Sequence, residues 1–578
     1  MKRLALLAAG LALAAAPPAD ARDPIMPLAQ VQPGMHCTGL TVVQGTTVSS
    51  FDADVIDVVA GIGNGPTPEI LIRVSGPAVD VTGVGEGFSG SPIYCDDGHG
   101  TLRNVGGIGF GVGDFGNKLA LATPIEAMLD QPITPPARVR RLSASERSSV
   151  RALDGPFTVS GLAPALARRL TAAARSSGKT VLTAPALARP FPVQTLRPGA
   201  SLSAGYSRGD VAIDALGTVT YTDGNDVWGF AHPLDDAGRR NLLLQDAYVY
   251  TVVPNPNGDT SVSYKLGAAG HVVGTLTGDM TNGVTGLMGA PPQTTKLVVR
   301  ARDGGGTRSV TTRTAVADEL RLNSTGGISP LGMAAPLAVL DAAERVLRSE
   351  PGRTTARMCF TASVAFRAYP LHFCNRYVGD TALGGSGETI AADDVDAATA
   401  LLESVQFRPP RVRAVTIDLD VQRGLDQAYI LGVRAPGHVK AGHKLHVTVG
   451  TRISRGSLRR FEFDVKAPGN LAAGRYKLVV SGPGPDGSGG GGLDELLAQL
   501  FDATGGSDAG PLSYGDLYYD VAGLHFYDGL SARFVPAGPK PRGPGAKRRR
   551  PSKRIHAYRN RAYRIGGSAS TPVHVDRP

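Results

Sequence analysis

After its opening segment, this chain has no apolar run long enough to cross a bilayer, which takes about 20 residues. That excludes a helical span anywhere in the body of the sequence. The opening segment is Met1-Lys2-Arg3, an apolar stretch from Leu4 to Ala16, then Pro-Pro-Ala-Asp-Ala. A charged start, an apolar run of about 13 residues and a small-x-small site read as a secretory signal cleaved after Ala21. No cysteine directly follows that site, which argues against a lipid anchor. Charged residues are only 19% of the chain. Glycine and proline together reach about 20%, short of the ~25–30% that marks disorder throughout. The expectation is an exported, turn-rich globular protein of roughly three or four domains at ~150 residues each.

Acidic residues are missing from one place in particular. Between Lys540 and Arg564 there are eleven lysines and arginines and no aspartate or glutamate. The net charge of +10 therefore belongs to this segment, and the rest of the chain is close to neutral. Such a tail reads as a solvated arm, or as a contact for polyanions or the cell envelope through counterion release.

Cysteine is scarce, with four in 578 residues. An oxidising compartment favours disulfides, and the expected pairs are Cys37 with Cys95 and Cys359 with Cys374. A metal reading of the first pair also exists, because His36 and His99 bring two imidazoles beside two thiols. No metal or cofactor is expected.

The pattern of the remaining residues is mostly β. Residues 25–135 contain short β-branched runs broken by glycine, such as "EILIRVSG" and "VGGIGFGVG", which read as one compact β lobe. Residues 136–200 turn rich in Ala, Arg, Pro and Ser and read as a connector with a helix from Ala163 to Ala174. Residues 201–350 return to strands, with a hairpin turn at Asp223-Gly224-Asn225-Asp226 and a helix from Leu337 to Arg348. Residues 352–482 read as a β-sandwich. Residues 483–535 form a linker with a short amphipathic helix from Leu493 to Phe501, and 536–578 the basic tail.

Two stretches carry chemistry. In "GEGFSGSPIY", Ser89 stands between glycines. A serine hydroxyl needs a base and a pair of donors for the developing oxyanion, and the N–H groups of Gly87 and Ser89 are placed as such a pair. In "VWGFAHPL", His232 ends an apolar β run, where a rigid strand presents an imidazole to a cleft. Asp279 in "GTLTGDMTNG" is the choice for the group that orients it. Asp235 and Asp236 read as turn residues, and Asp80 and Asp246 remain alternatives.

Several blocks in order, "IMPLAQVQPGMHCTGLTVVQG", "FDADVIDVV", "ILIRVSGPAV", "GVGEGFSGSPIY" and "ATPIEAMLD", resemble the SpoIVB peptidase family of secreted bacterial serine endopeptidases. "GTVTYTDGNDVWGFAHPL" resembles the segment that carries that family's histidine. The resemblance spans about residues 25–300. It implies a chymotrypsin-like pair of β lobes, Ser89 as nucleophile, His232 as base, and a protein substrate, this chain itself included. The family's type member places histidine before serine and carries a PDZ domain. Here Ser89 comes first and no PDZ-like segment is seen, so the lobes stand in exchanged order. The competing expectation is a non-catalytic envelope protein that binds through its β lobes and basic tail.

Overall fold

A computed structural model describes residues 23–577 except 61–66, 114–115, 154–156, 177–180, 185–190, 256–262, 321, 323–326, 349–351, 366–369, 381–385, 404–409, 483–528, 538–550, 554 and 560–561. The fold is mostly β. Its first lobe is a closed ring of six antiparallel strands: His36–Val42, Val48–Ala60, Glu69–Ser75, Leu119–Pro124, Leu102–Val112 and Pro92–Asp96, the last pairing back to the first. Period-two patterning dictates this lobe. Ile70, Ile72 and Val74 point inward to meet Phe51, Ala53 and Val55, while Leu71 points outward onto Leu121, Val59 and Leu142. Cys37 and Cys95 lie directly opposite each other on neighbouring strands and form a disulfide. That bond uses both thiols of the metal reading.

A second ring repeats the plan. Ser201–Gly209, Ala212–Asp223, Asp226–Gly229, Gly283–Met288, Tyr264–Met280 and Gly238–Val253 pair in that cyclic order, all antiparallel. In both rings the chain runs first, second, third, sixth, fifth, fourth around the circle. The expected turn is present, with Asp223 paired to Asp226 and Gly224 at φ +58°. In the connector, the helix expected from Ala163 to Ala174 spans Pro164–Ser176.

Beyond this ring the structure departs from the sequence reading. Ser201–Gly209 pairs on its other side with Ser309–Ala317, and the sheet continues through Thr294–Asp303, Val412–Arg423, Arg353–Val364 and Leu371–Asp380. Residues 353–423 are therefore an extension of the histidine lobe's sheet and not part of a sandwich. Val415, Ile417, Leu419 and Val421 alternate inward on the extension. The same alternation serves a sheet extension or a new sandwich, and only the parallel docking onto Thr294–Asp303 separates the two. Helices Pro330–Leu347 and Gly387–Glu403 lie together against this extension. The first begins seven residues before the expected Leu337, because Ser329 Oγ accepts from Gly332 N–H and Pro330 occupies the first turn. Cys359 and Cys374 face each other across one hairpin and form the second disulfide.

The sandwich begins at Gln427. Its two sheets enclose Leu445, Val447, Val449, Leu478, Val480 and Phe534 among others. Strands Gly529–Pro536, Ile555–Arg559, Arg564–Gly566 and Ser568–Asp576 belong to it. The second half of the basic tail is thus built into a core, while Lys540 to Arg550 lie outside the described residues, as do the signal segment and the expected helix from Leu493 to Phe501. Among the described residues no helix is long and apolar enough to cross a membrane.

Candidate active site

The Ser89 loop bridges Glu69–Ser75 and Pro92–Asp96. Phe88 N–H donates to Gly85 O at 3.0 Å, Ser91 N–H to Phe88 O at 2.9 Å, and Gly90 N–H to Ile108 O at 2.7 Å. Gly87 and Gly90 hold φ of +84° and +85°, a region that favours glycine. Among the described residues, no acceptor takes the N–H of Gly87 or of Ser89. Backbone donors left unspent in a buried loop are rare, and these two are the pair that the sequence assigns to an oxyanion. Ser89 is fully buried, and its Oγ has no hydrogen-bond partner among the described residues.

This loop is stitched to the histidine lobe. Thr218 N–H donates to Ser89 O at 2.8 Å. Thr218 Oγ1 donates to Gly87 O at 3.1 Å, and Thr220 Oγ1 to Gly90 O at 2.7 Å. A Cβ on Gly90 would fall 2.0 Å from Thr218 O and 2.5 Å from Phe230 N. Only glycine allows this approach, and it sets the serine loop against the turn that carries His232.

That turn is strained. Phe230 and Ala231 follow strand Asp226–Gly229 with φ of +63° and +56°. Two consecutive non-glycine residues in the left-handed region cost energy that surrounding contacts must offset. Ala231 N–H donates to Gly229 O at 2.7 Å, and Thr123 Oγ1, from the serine lobe, donates to Ala231 O at 2.7 Å. His232 is fully buried, with the rings of Phe110 and Phe230 centred 6.4 and 5.9 Å away. Its Nδ1 lies 2.6 Å from Pro233 O. A carbonyl only accepts, so Nδ1 carries a proton, and in the neutral ring the lone pair is on Nε2. The main chain thereby fixes the tautomer that a general base requires.

Asp279 is close in the fold but has a different task from the one expected. Its carboxylate accepts from the N–H groups of Leu234 at 2.6 Å, Asp235 at 2.9 Å and Ala237 at 3.2 Å. It holds the loop that follows His232, while Nδ1 of His232 is held by Pro233. Burial and the neighbouring Asp235 push Asp279 up to about 6. Asp235 is more than a turn residue, since it pairs with the buried Arg240, which is also bound by Glu319 at 2.9 Å. Asp236 sits in the turn with φ +53°. Asp80 accepts from Gly76 N–H in its own turn. Asp246 binds His271 and the N–H of Gln194. His36 is exposed and paired with Asp54 at 2.6 Å.

Two buried groups escape a reading of the sequence. Lys265 sits at the junction of the lobes, its Nζ donating to Thr41 Oγ1 at 2.7 Å and Thr218 Oγ1 at 3.1 Å and lying 4.7 Å from the centre of the Phe88 ring. Ser91 Oγ donates to the same Thr41 hydroxyl at 3.1 Å. The signal was one lysine within the strand run "SYKLGAAG", a position that strand alternation alone does not distinguish from an outward one. Glu69 is the other. Burial pushes its carboxyl up to about 8, against the opposing effect of Thr123, the residue that holds Ala231 O.

Glu69 gives a pH prediction. Its folded value lies above the ordinary 4.5, so between pH 4.5 and 8 the folded chain holds a proton that the unfolded chain has lost. Stability then falls as pH rises through that window and levels off above it. Glu69→Gln keeps a neutral amide in place. It is expected to match the wild type near pH 4 and to exceed it by several kcal/mol near pH 8, measured by urea unfolding at both pH values. An equal difference at the two would remove Glu69 as the cause.

No protein-family model, curated protein or solved structure matches this chain.

Proposed function

We propose that this chain is an exported serine endopeptidase of the SpoIVB type. Ser89 Oγ attacks the carbonyl carbon of a peptide bond while Nε2 of His232 takes its proton. The N–H groups of Gly87 and Ser89 hold the oxyanion. His232 then returns the proton to the leaving amine as the C–N bond breaks, and water repeats the sequence on the acyl-enzyme. Asp279 acts as a positioning residue for the loop after His232. The substrate is a protein, this chain included.

The observation that carries this reading is the pair of unspent N–H groups at Gly87 and Ser89, in a loop pressed against the His232 turn. Two six-stranded rings of identical strand order meeting at that loop agree with the two-lobe plan that the resemblance implies. The exchanged order of serine and histidine is no obstacle, because a catalytic constellation depends on geometry and not on chain order.

A second reading has two observations in its favour: Ser89 and His232 are both fully buried, and Ser89 Oγ makes no hydrogen bond to His232. It makes the chain a non-catalytic envelope protein, with the basic segment as a polyanion contact. A fluorophosphonate probe separates the two. The peptidase reading expects a covalent adduct on Ser89, absent in Ser89→Ala. The binding reading expects no adduct on the folded, disulfide-bonded protein.

A further inference from the structure

The histidine lobe also lies along the segment just before Ser89. Strands Gly238–Val253 and Tyr264–Met280 form a long hairpin of the histidine lobe, and its far ends reach onto the serine lobe. Gly45 and Val249 exchange both backbone hydrogen bonds, at 2.7 and 3.0 Å. Glu86 N–H donates to Ser263 O at 2.8 Å, and Lys265 N–H donates to Glu86 O at 2.9 Å. Residues Ser263 to Lys265 therefore run as a short strand along the residue just before Gly87. Side chains fix the same contact. Ser263 Oγ donates to Thr82 O at 2.6 Å, and Asn117 Nδ2 donates to Asn255 O at 2.7 Å.

The fit against the oxyanion loop is close. A Cβ at Gly85 would fall 1.7 Å from Ser263 O, and one at Gly87 would fall 3.0 Å from Lys265 Cβ. The stem of Lys265 thus lies on Gly87, on the side where a side chain would project. An extended peptide bound beside this loop would need the backbone groups of Glu86 that Ser263 and Lys265 already occupy.

We propose that the ends of this hairpin are an autoinhibitory cover, which must lift from the Glu86–Gly87 segment before a peptide bond reaches Ser89. This rests on the reading of Ser89 as nucleophile. The contacts that must open are a two-way bridge, one short strand pairing, the side-chain hydrogen bonds of Ser263 and Asn117, and that of Lys265 Nζ to Thr41 Oγ1, each of modest net strength.

Asn117 offers a clean test, because its φ of +52° suits glycine. Asn117→Gly keeps the backbone and removes only the side-chain hold on the hairpin. Ser263→Ala removes the hold on Thr82 together with the 3.5 Å contact from Asn117 Nδ2 to Ser263 Oγ. In the full chain, both variants are expected to label at Ser89 with a small fluorophosphonate at least about ten-fold faster than the wild type. Amide exchange at residues 249–255 and 263–266 is expected to quicken with it. Labelling of Ser89 in both variants at the wild-type rate overturns the cover and leaves the nucleophile standing. No labelling of Ser89 in any of the three proteins overturns the nucleophile on which the cover rests.

Discussion

His232→Ala is expected to slow fluorophosphonate labelling of Ser89 by about 10²–10⁴-fold, the range that a positioned general base supplies. Three features set this expectation. The Nδ1 proton is committed to Pro233 O at 2.6 Å, which leaves the neutral ring's lone pair on Nε2. The ring is enclosed by Phe110 and Phe230, so its orientation is fixed by packing. The turn holding it is pinned from the serine lobe by Thr123. Asp279→Asn is expected to cost less, because Asp279 bonds to the main chain of the following loop and not to the imidazole. Its effect should grow with temperature as that loop loosens, and the pH midpoint of labelling should stay close to that of the wild type. An Asp279→Asn loss as deep as that of His232→Ala, with a displaced midpoint, would restore aspartate to the orienting role.

Lys265→Met is expected to make the protein more stable, and by an amount that depends on pH. Lys265 is enclosed by two threonine hydroxyls and the Phe88 ring. Burial alone drives its amine down from 10.5 to about 7. Between those values the unfolded chain binds a proton that the folded chain does not, so wild-type stability rises with pH from about 7 to about 10.5 and is flat below. The full penalty, present at pH 7 and below, is several kcal/mol. Methionine fills a similar volume without a charge to bury. Thr218 keeps Gly87 O as an acceptor and Thr41 keeps Ser91 as a donor, so neither hydroxyl is stranded. Urea unfolding at pH 6, 8 and 10 should show a gap that is largest at pH 6 and nearly closed at pH 10. A gap independent of pH would mean that Lys265 is not the titrating group.

What could be read from the sequence was local. The Ser89 turn announces itself through Gly87 and Gly90, whose positive φ the structure uses to reach Thr218 and Phe230. Each disulfide joins residues directly opposite on paired strands, and their spacing was enough to suggest the pairs. Asp279, near the end of strand Tyr264–Met280, binds main-chain N–H groups of the loop after His232, and such partners leave no trace in residue identity. Lys265 was passed over for a similar reason. Strand alternation does not reveal that both faces of Tyr264–Met280 become buried once a second lobe closes on its end. The sandwich boundary failed on non-local pairing: Val412–Arg423 has the alternation of any half-buried strand, and its neighbour, Thr294–Asp303, lies more than a hundred residues earlier.

The central claim is that Ser89 is a nucleophile, and mass-spectrometric mapping of a fluorophosphonate adduct on the folded, disulfide-bonded chain tests it most directly. The account predicts one adduct on the peptide containing Ser89, lost in Ser89→Ala and strongly slowed in His232→Ala. An adduct on another serine, or none on a folded chain whose hairpin ends have been loosened by Asn117→Gly and Ser263→Ala, would contradict it.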